Sequence, residues 1–213
     1  MTAQKPTQRF VDHSIIAVLR ATRSELYADV ADALVAGNVR VIELTLTTPG
    51  TMDAIAGLRK RFGNSAVIGV GTVLSETDAR TAIANGAQFI VTPCLVPQVV
   101  TACVELAVPV VPGVMTPTEV EQARRLGAPY VKLFPAQFLG ADYLQHLNGP
   151  FPELQAIPSG GVDLESAKEW LRAGAPCVSM GSPLLGDVFD SGDTTALTAR
   201  ARSFVHALGG DRQ

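Results

Sequence analysis

The sequence predicts an α/β protein, a single-domain (β/α)8 TIM barrel covering residues 1–213. Three observations predict it. Short apolar runs recur along the chain, eight in all. Amphipathic segments of roughly three turns separate them. Glycine ends most of those segments shortly before the next run. The runs are 15–20, 41–47, 67–73, 89–93, 109–114, 130–135, 156–161 and 177–182. They are near-continuous in hydrophobicity rather than alternating, as strands buried on both faces should be.

A short lead-in, 1–14, precedes the first strand. Helix starts carry residues whose side chains can accept from free backbone N–H groups: Ser24 before Glu25, Ser75 before Glu76, Thr116-Pro117-Thr118-Glu119, and Asp163. Helix ends carry Gly37, Gly63, Gly86, Gly127 and Gly174. Four of these lead almost directly into a strand, as in Gly37-Asn38-Val39 and Gly127-Ala128-Pro129, which is a weak internal repeat of one βα unit. A last helix at about 195–208 closes the barrel, and the tail 209–213 frays. The competing architecture is an open doubly wound sheet. The dinucleotide fingerprint that it often carries is absent, because Gly69-Val70-Gly71-Thr72 has no third glycine at the right spacing.

At 47% hydrophobic and 17% charged residues, the chain has ample material for a core. A net charge of −3 gives no reason to expect a nucleic-acid partner. No apolar run reaches membrane-span length, and residues 1–10 lack the apolar stretch of a signal peptide. Cys94, Cys103 and Cys177 are an odd count without framework spacing, which points to free, packed thiols and a cytoplasmic location. His13, His146 and His206 have no metal-ligand spacing, and none stands at a strand end to serve a Ser-His-Asp triad. Trp170 reads as core or interface. No metal and no cofactor are expected.

Two charges sit where charges are expensive. Lys132 lies in Tyr130-Val131-Lys132-Leu133-Phe134-Pro135, one of only four lysines in the chain. A buried ammonium without a partner is costly, and a desolvated lysine is a nucleophile for carbonyl carbons. Glu43, in Val41-Ile42-Glu43-Leu44, is the second anomaly. In a barrel the active site sits at the C-terminal ends of the strands. Those ends also carry Arg20, Thr72, Pro93, Phe134, Ser159-Gly160-Gly161 and Gly181-Ser182. An amine, a carboxylate and a cation on different strands fit a nucleophile, an acid/base and an anion holder, although an ion-pair network filling the interior would need the same residues. Glycine-rich turns after the last two strands suit a phosphate, because backbone N–H groups can approach it there.

The segments Ile16-Ala17-Val18-Leu19-Arg20, Ile42-Glu43, Gly69-Val70-Gly71-Thr72-Val73-Leu74, Pro112-Gly113-Val114-Met115-Thr116-Pro117-Thr118-Glu119, Lys132-Leu133-Phe134-Pro135, Gly149-Pro150-Phe151-Pro152 and Pro158-Ser159-Gly160-Gly161-Val162 resemble, in this order, the 2-keto-3-deoxy-6-phosphogluconate (KDPG) aldolase family. That family includes 4-hydroxy-2-oxoglutarate aldolases and the galactonate-pathway aldolase. The resemblance implies that Lys132 forms a Schiff base with a keto acid and that Glu43 shuttles protons. It implies that Arg20, Thr72, Ser159, Phe134 and Pro93 contact the keto acid, and that Gly160, Gly161, Gly181 and Ser182 hold phosphate. It also implies a phosphorylated keto sugar acid as partner and a homotrimer. Two positions depart from the pattern. Thr47 stands where some members carry an arginine, which gives Arg20 the substrate carboxylate, and Ser159 replaces a threonine while keeping the hydroxyl. A phosphosugar isomerase or epimerase using Glu43 as base, and a non-catalytic phosphometabolite-binding barrel, are the alternatives.

Overall fold

The computed structural model describes residues 11–209; the first ten residues of the lead-in and the last four of the tail lie outside the described residues. Every apolar run contains a strand: β1 (Ile15–Leu19), β2 (Val41–Thr45), β3 (Val67–Gly71), β4 (Ile90–Val91), β5 (Val110–Val111), β6 (Gly113–Val114), β7 (Val131–Leu133), β8 (Ala156–Pro158) and β9 (Val178–Met180). Between them run α1 (Tyr27–Ala36), α2 (Thr51–Phe62), α3 (Glu76–Ala84), α4 (Pro97–Glu105), α5 (Pro117–Arg125), α6 (Ala141–Asn148) and α7 (Leu164–Arg172). The short α8 (Ser182–Leu185) and α9 (Val188–Ser191) lead into the final α10 (Thr194–Ala207).

All strand pairs are parallel, but they form two sheets instead of one continuous ladder. Six strands are ordered β5-β4-β3-β2-β1-β9, and three are ordered β6-β7-β8. The expected fifth strand is split at Pro112, which has no N–H to give to a ladder. Its two halves belong to different sheets, and Pro112 O still accepts from Lys132 N at 2.8 Å. At the other edge a single parallel bridge, Ser159 to Ser179, links the end of β8 to β9.

The buried side chains fall into two clusters that follow the two-residue period of the strands. Ile15, Ala17, Ile42, Leu44, Ile68, Val70, Val131, Leu133, Val178 and Met180 pack with the apolar faces of the helices. Ile16, Val41, Phe89, Val91, Val111, Tyr130, Ile157 and Cys177 form a second, smaller cluster on the opposite strand face. The near-continuous hydrophobicity of the runs is therefore two cores interleaved residue by residue. Trp170 joins the first, as expected. Cys94 does not pack: it is exposed, while Cys103 and Cys177 are buried, and burial pushes the Cys103 thiol up to about 12.

Three of the four expected caps form. Ser75 Oγ accepts from Asp78 N, and Asp163 and Ser166 make a reciprocal box at the start of α7. Thr116 and Glu119 make another at the start of α5. Ser24 does not cap a helix; it begins a 3-10 turn, and its N–H donates to Pro49 O at 3.1 Å. At the end of α1 the left-handed residue is Asn38, not Gly37. Gly37 has ordinary helical φ, and its missing Cβ makes room for Ala201 of α10.

The α5 box has a pH signature. Glu119 Oε2 accepts from Met115 N at 2.9 Å, Thr116 N at 2.8 Å and Thr116 Oγ1 at 2.8 Å. The Met115 bond, joined by those from Thr116, holds its carboxyl below the usual carboxylate range. A depressed folded-state pKa stabilises above the unfolded value, and that contribution is lost as pH falls through the folded one. Glu119→Gln is expected to lower the melting temperature by about 2–4 °C at pH 7, the size of one lost cap in a chain of this length. The gap to the native protein should close as pH falls below about 4. Melting curves from neutral to acid pH check this.

Candidate active site

A cavity of about 560 Å³ opens at the C-terminal ends of the strands. It gathers all of the expected site residues. Arg20, Glu43 and Thr72 come from β1, β2 and the turn after β3; Pro93, Lys132 and Phe134 come from the β4 and β7 segments. Ser159, Gly160, Gly161, Gly181 and Ser182 come from the ends of β8 and β9. Thr47 is not among the lining residues; its hydroxyl donates to Thr45 Oγ1 at 3.2 Å.

Strand periodicity delivers the two charges. Lys132 stands between Val131 and Leu133, which face the helices, so its side chain takes the other face, one step beyond Tyr130. It is only 8% exposed, and Nζ lies 5.1 Å from the centroid of the Phe134 ring. Among the described residues no carboxylate pairs with it. The side-chain nitrogen therefore rests on an aromatic face and not on a carboxylate.

Glu43 stands one step beyond Val41 by the same rule, beside Val18 of β1 and Gly69 of β3, and is 2% exposed. Its carboxylate packs over Gly71, where any Cβ would collide with it. The next residue, Thr72, has φ +60°, a left-handed conformation that a β-branched residue rarely adopts. Such a conformation costs about 1–3 kcal/mol and persists only when the surroundings impose it. Here Val73 N donates back to Val91 O at 3.2 Å, which turns Thr72 into the cavity mouth.

The β8 turn has consecutive left-handed residues, Gly160 at φ +88° and Gly161 at φ +74°. Side chains there would also meet the Phe134 ring and Gln137. Ser159 O and Gly160 O accept from Ala136 N and Gln137 N at 2.8 and 3.0 Å, so this turn is stitched to the segment after Lys132.

Four lining residues escaped the sequence reading: Val18, Val162, Ser179 and Pro183. Ser179 is the informative one. It is 4% exposed, and its hydroxyl has no hydrogen-bond partner among the described residues. The signal was present as a polar residue between Val178 and Met180, at even spacing from Cys177 and Gly181.

Comparisons with known proteins give the family of the chain. Residues 7–199 match the family model described as KDPG and KHG aldolase. The chain belongs to the KDPG and KHG aldolase family. A 2-dehydro-3-deoxy-phosphogluconate aldolase of Treponema pallidum is 32% identical over 92% of this chain and 93% of that protein. A 2-dehydro-3-deoxy-6-phosphogalactonate aldolase of Escherichia coli is 32% identical over 91% and 93%. Among solved structures, KDPG aldolase from Legionella pneumophila, with pyruvate captured as a covalent carbinolamine intermediate, superposes with a TM-score of 0.87 at 27% identity, covering 94% of this chain and 98% of that one.

Gly71 gives a test of the Glu43 geometry. Gly71→Ala must displace the Glu43 carboxylate, and where that carboxylate acts on the substrate a displacement of about 1 Å is expected to lower turnover on the order of a hundredfold. Steady-state rates, with circular dichroism to verify folding, check the loss.

Proposed function

We propose that the protein is a class I aldolase that cleaves 2-keto-3-deoxy-6-phosphogluconate, or a close 2-keto-3-deoxy-6-phospho sugar acid, to pyruvate and glyceraldehyde 3-phosphate. The observation that carries this reading is a buried lysine without a carboxylate partner in the same cavity as a buried glutamate. A structural ion-pair network would have joined such groups to partners. An amine nucleophile must instead be free to give its lone pair to a carbonyl.

The neutral amine of Lys132 attacks C2 of the keto acid to give a carbinolamine, and uptake of one proton by its hydroxyl with loss of water leaves an iminium; that proton is released again when the iminium is hydrolysed. Glu43 takes the proton of the C4 hydroxyl. The C3–C4 bond breaks, its electron pair moves to C3 to form an enamine, and the aldehyde leaves. Protonation at C3 returns the iminium, and water releases pyruvate and the free amine. Glu43 serves as base and then as acid, directly or through a water. Arg20, with Thr72 and Ser159, holds the substrate carboxylate. Pro93 and Phe134 wall the reacting carbons. Backbone N–H groups at Gly160, Gly161, Gly181 and Ser182 take the phosphate.

Arg20 lines the cavity while Thr47 does not, which supports giving the carboxylate to Arg20. The two sheets, which meet at Pro112 and at the Ser159–Ser179 bridge, belong in this proposal to one closed (β/α)8 barrel. The described residues contain no helix long and apolar enough to cross a membrane, and Cys94, Cys103 and Cys177 form no disulfide among them. A cytoplasmic homotrimer is part of the same proposal; the exposed Phe138 and Leu74 are apolar side chains that an assembly would cover. The phosphogalactonate aldolase relative makes the C4 epimer the second substrate to assay, with 4-hydroxy-2-oxoglutarate third.

Borohydride reduction with pyruvate is expected to fix one reduced pyruvate on Lys132 per chain, and Lys132→Ala should lose both adduct and cleavage. Full cleavage by Lys132→Ala contradicts the reading. Among the three keto acids, a phosphorylated one should be cleaved fastest. A rate unchanged by removal of the phosphate would refute the assigned phosphate contacts. The native mass in solution should be three times that of the chain.

A further inference from the structure

Arg20 is an exposed residue just beyond the end of β1, and the loop that carries it is tied on both sides to the loop after β2. Before Arg20, Leu19 O accepts from Thr45 Oγ1 at 3.1 Å. After it, Ala21 N donates to Thr48 Oγ1 at 3.0 Å, and Ala21 O accepts from the same hydroxyl at 3.1 Å. Three residues on, Ser24 N donates to Pro49 O. The β2 loop is braced from beneath. Thr51 Oγ1 donates toward Thr45 O at 2.9 Å and Thr48 O at 2.8 Å, and it exchanges a hydrogen bond with the buried Tyr27 hydroxyl at 3.0 Å. Thr45, Thr48 and Thr51 are all nearly inaccessible to solvent.

We propose that Thr48, with Thr45, is a positioning residue for Arg20: the two hydroxyls fix the peptides on either side of it so that the guanidinium meets the substrate carboxylate without first ordering its loop. The proposal rests on the reading that Arg20 binds that carboxylate. A valine at position 48 would leave Ala21 N–H and C=O without their partner at almost unchanged volume, and an unpaired, part-buried peptide group finds other partners by moving. The Thr45-Leu46-Thr47-Thr48 segment, which places no side chain of residues 45–48 in the cavity lining, would thus act on the substrate through the neighbouring strand.

The test compares Thr48→Val, Thr48→Ser and Thr45→Val, each alone and in an Arg20→Ala background. Two quantities are read: KM for 2-keto-3-deoxy-6-phosphogluconate, and the pyruvate concentration that gives half-maximal borohydride trapping. Pyruvate has the carboxylate but no phosphate. Thr48→Val is expected to raise both about tenfold with kcat within about twofold, the loss of the two hydrogen bonds that the hydroxyl makes to Ala21. Thr48→Ser should stay within about twofold of native, and Thr45→Val should reproduce the effect should Thr48→Val fold poorly. In the Arg20→Ala background the threonine changes should add less than about twofold, since coupled residues are not additive. An equal further rise in that background overturns the proposal. So does an unchanged KM in both valine variants, or an Arg20→Ala variant that binds pyruvate as well as native. In each of those cases cleavage by the native enzyme leaves the aldolase reading standing. Absence of native cleavage and adduct with all three keto acids overturns that reading, and the role of Thr48 with it.

Discussion

The site depends on the two-residue period of a parallel strand. Each strand shows one face to the helices and one to the interior, so a side chain's partners are fixed by odd or even spacing. On the interior face the lower positions are apolar: Ile16, Val41, Tyr130, Ile157 and Cys177 pack as one cluster. Two residues further along the same strands stand Val18, Glu43, Lys132, Ser159 and Ser179, all lining the cavity. The dry cluster beneath sets the environment in which the polar layer works. A charge there cannot reach bulk water downward, and it meets only the groups that neighbouring strands present. Moving Lys132 or Glu43 by one residue would send it into the helix-facing core.

Rigidity around that layer comes from backbone fitted to side chains. Gly71 yields its Cβ space to Glu43, and the Gly160-Gly161 turn yields its space to Phe134 and Gln137. The strained Thr72 backbone is held by the return of Val73 to β4. The loops after β1 and β2 are joined by hydroxyls, and those after β7 and β8 by backbone hydrogen bonds. Catalysis by positioning needs this kind of support, because the residues that touch substrate are only as well placed as the segments that carry them.

Much of this was legible in the chain. The apolar runs marked every strand because burial on both faces leaves an unbroken hydrophobic signature, and Lys132 and Glu43 stood out as violations of it. The split at Pro112 was legible in principle from the missing N–H, yet an apolar run that continues past a proline reads as one strand. Ser24 misled because serine before an acidic residue suits a helix start, whereas here it is the first residue of a 3-10 turn and Arg23 stands at the cap position. Gly37 misled because a glycine at a helix end suggests a left-handed turn, when its absent side chain serves packing against α10. Ser179 was overlooked because serine is an unremarkable residue in a strand; only its inward parity makes it notable. The Thr45–Thr48 contacts join residues 26 and 27 positions apart and have no local signature.

The most direct test of this account is a crystal structure of the protein after borohydride reduction in the presence of pyruvate. The account predicts continuous density from Lys132 Nζ to the pyruvyl C2, with the Glu43 carboxylate on the C3 side of the adduct, in direct or water-bridged reach of the place where C4 of a cleavable substrate would lie. An adduct on another residue, or a Glu43 carboxylate turned away from the adduct with another group in its place, would contradict it.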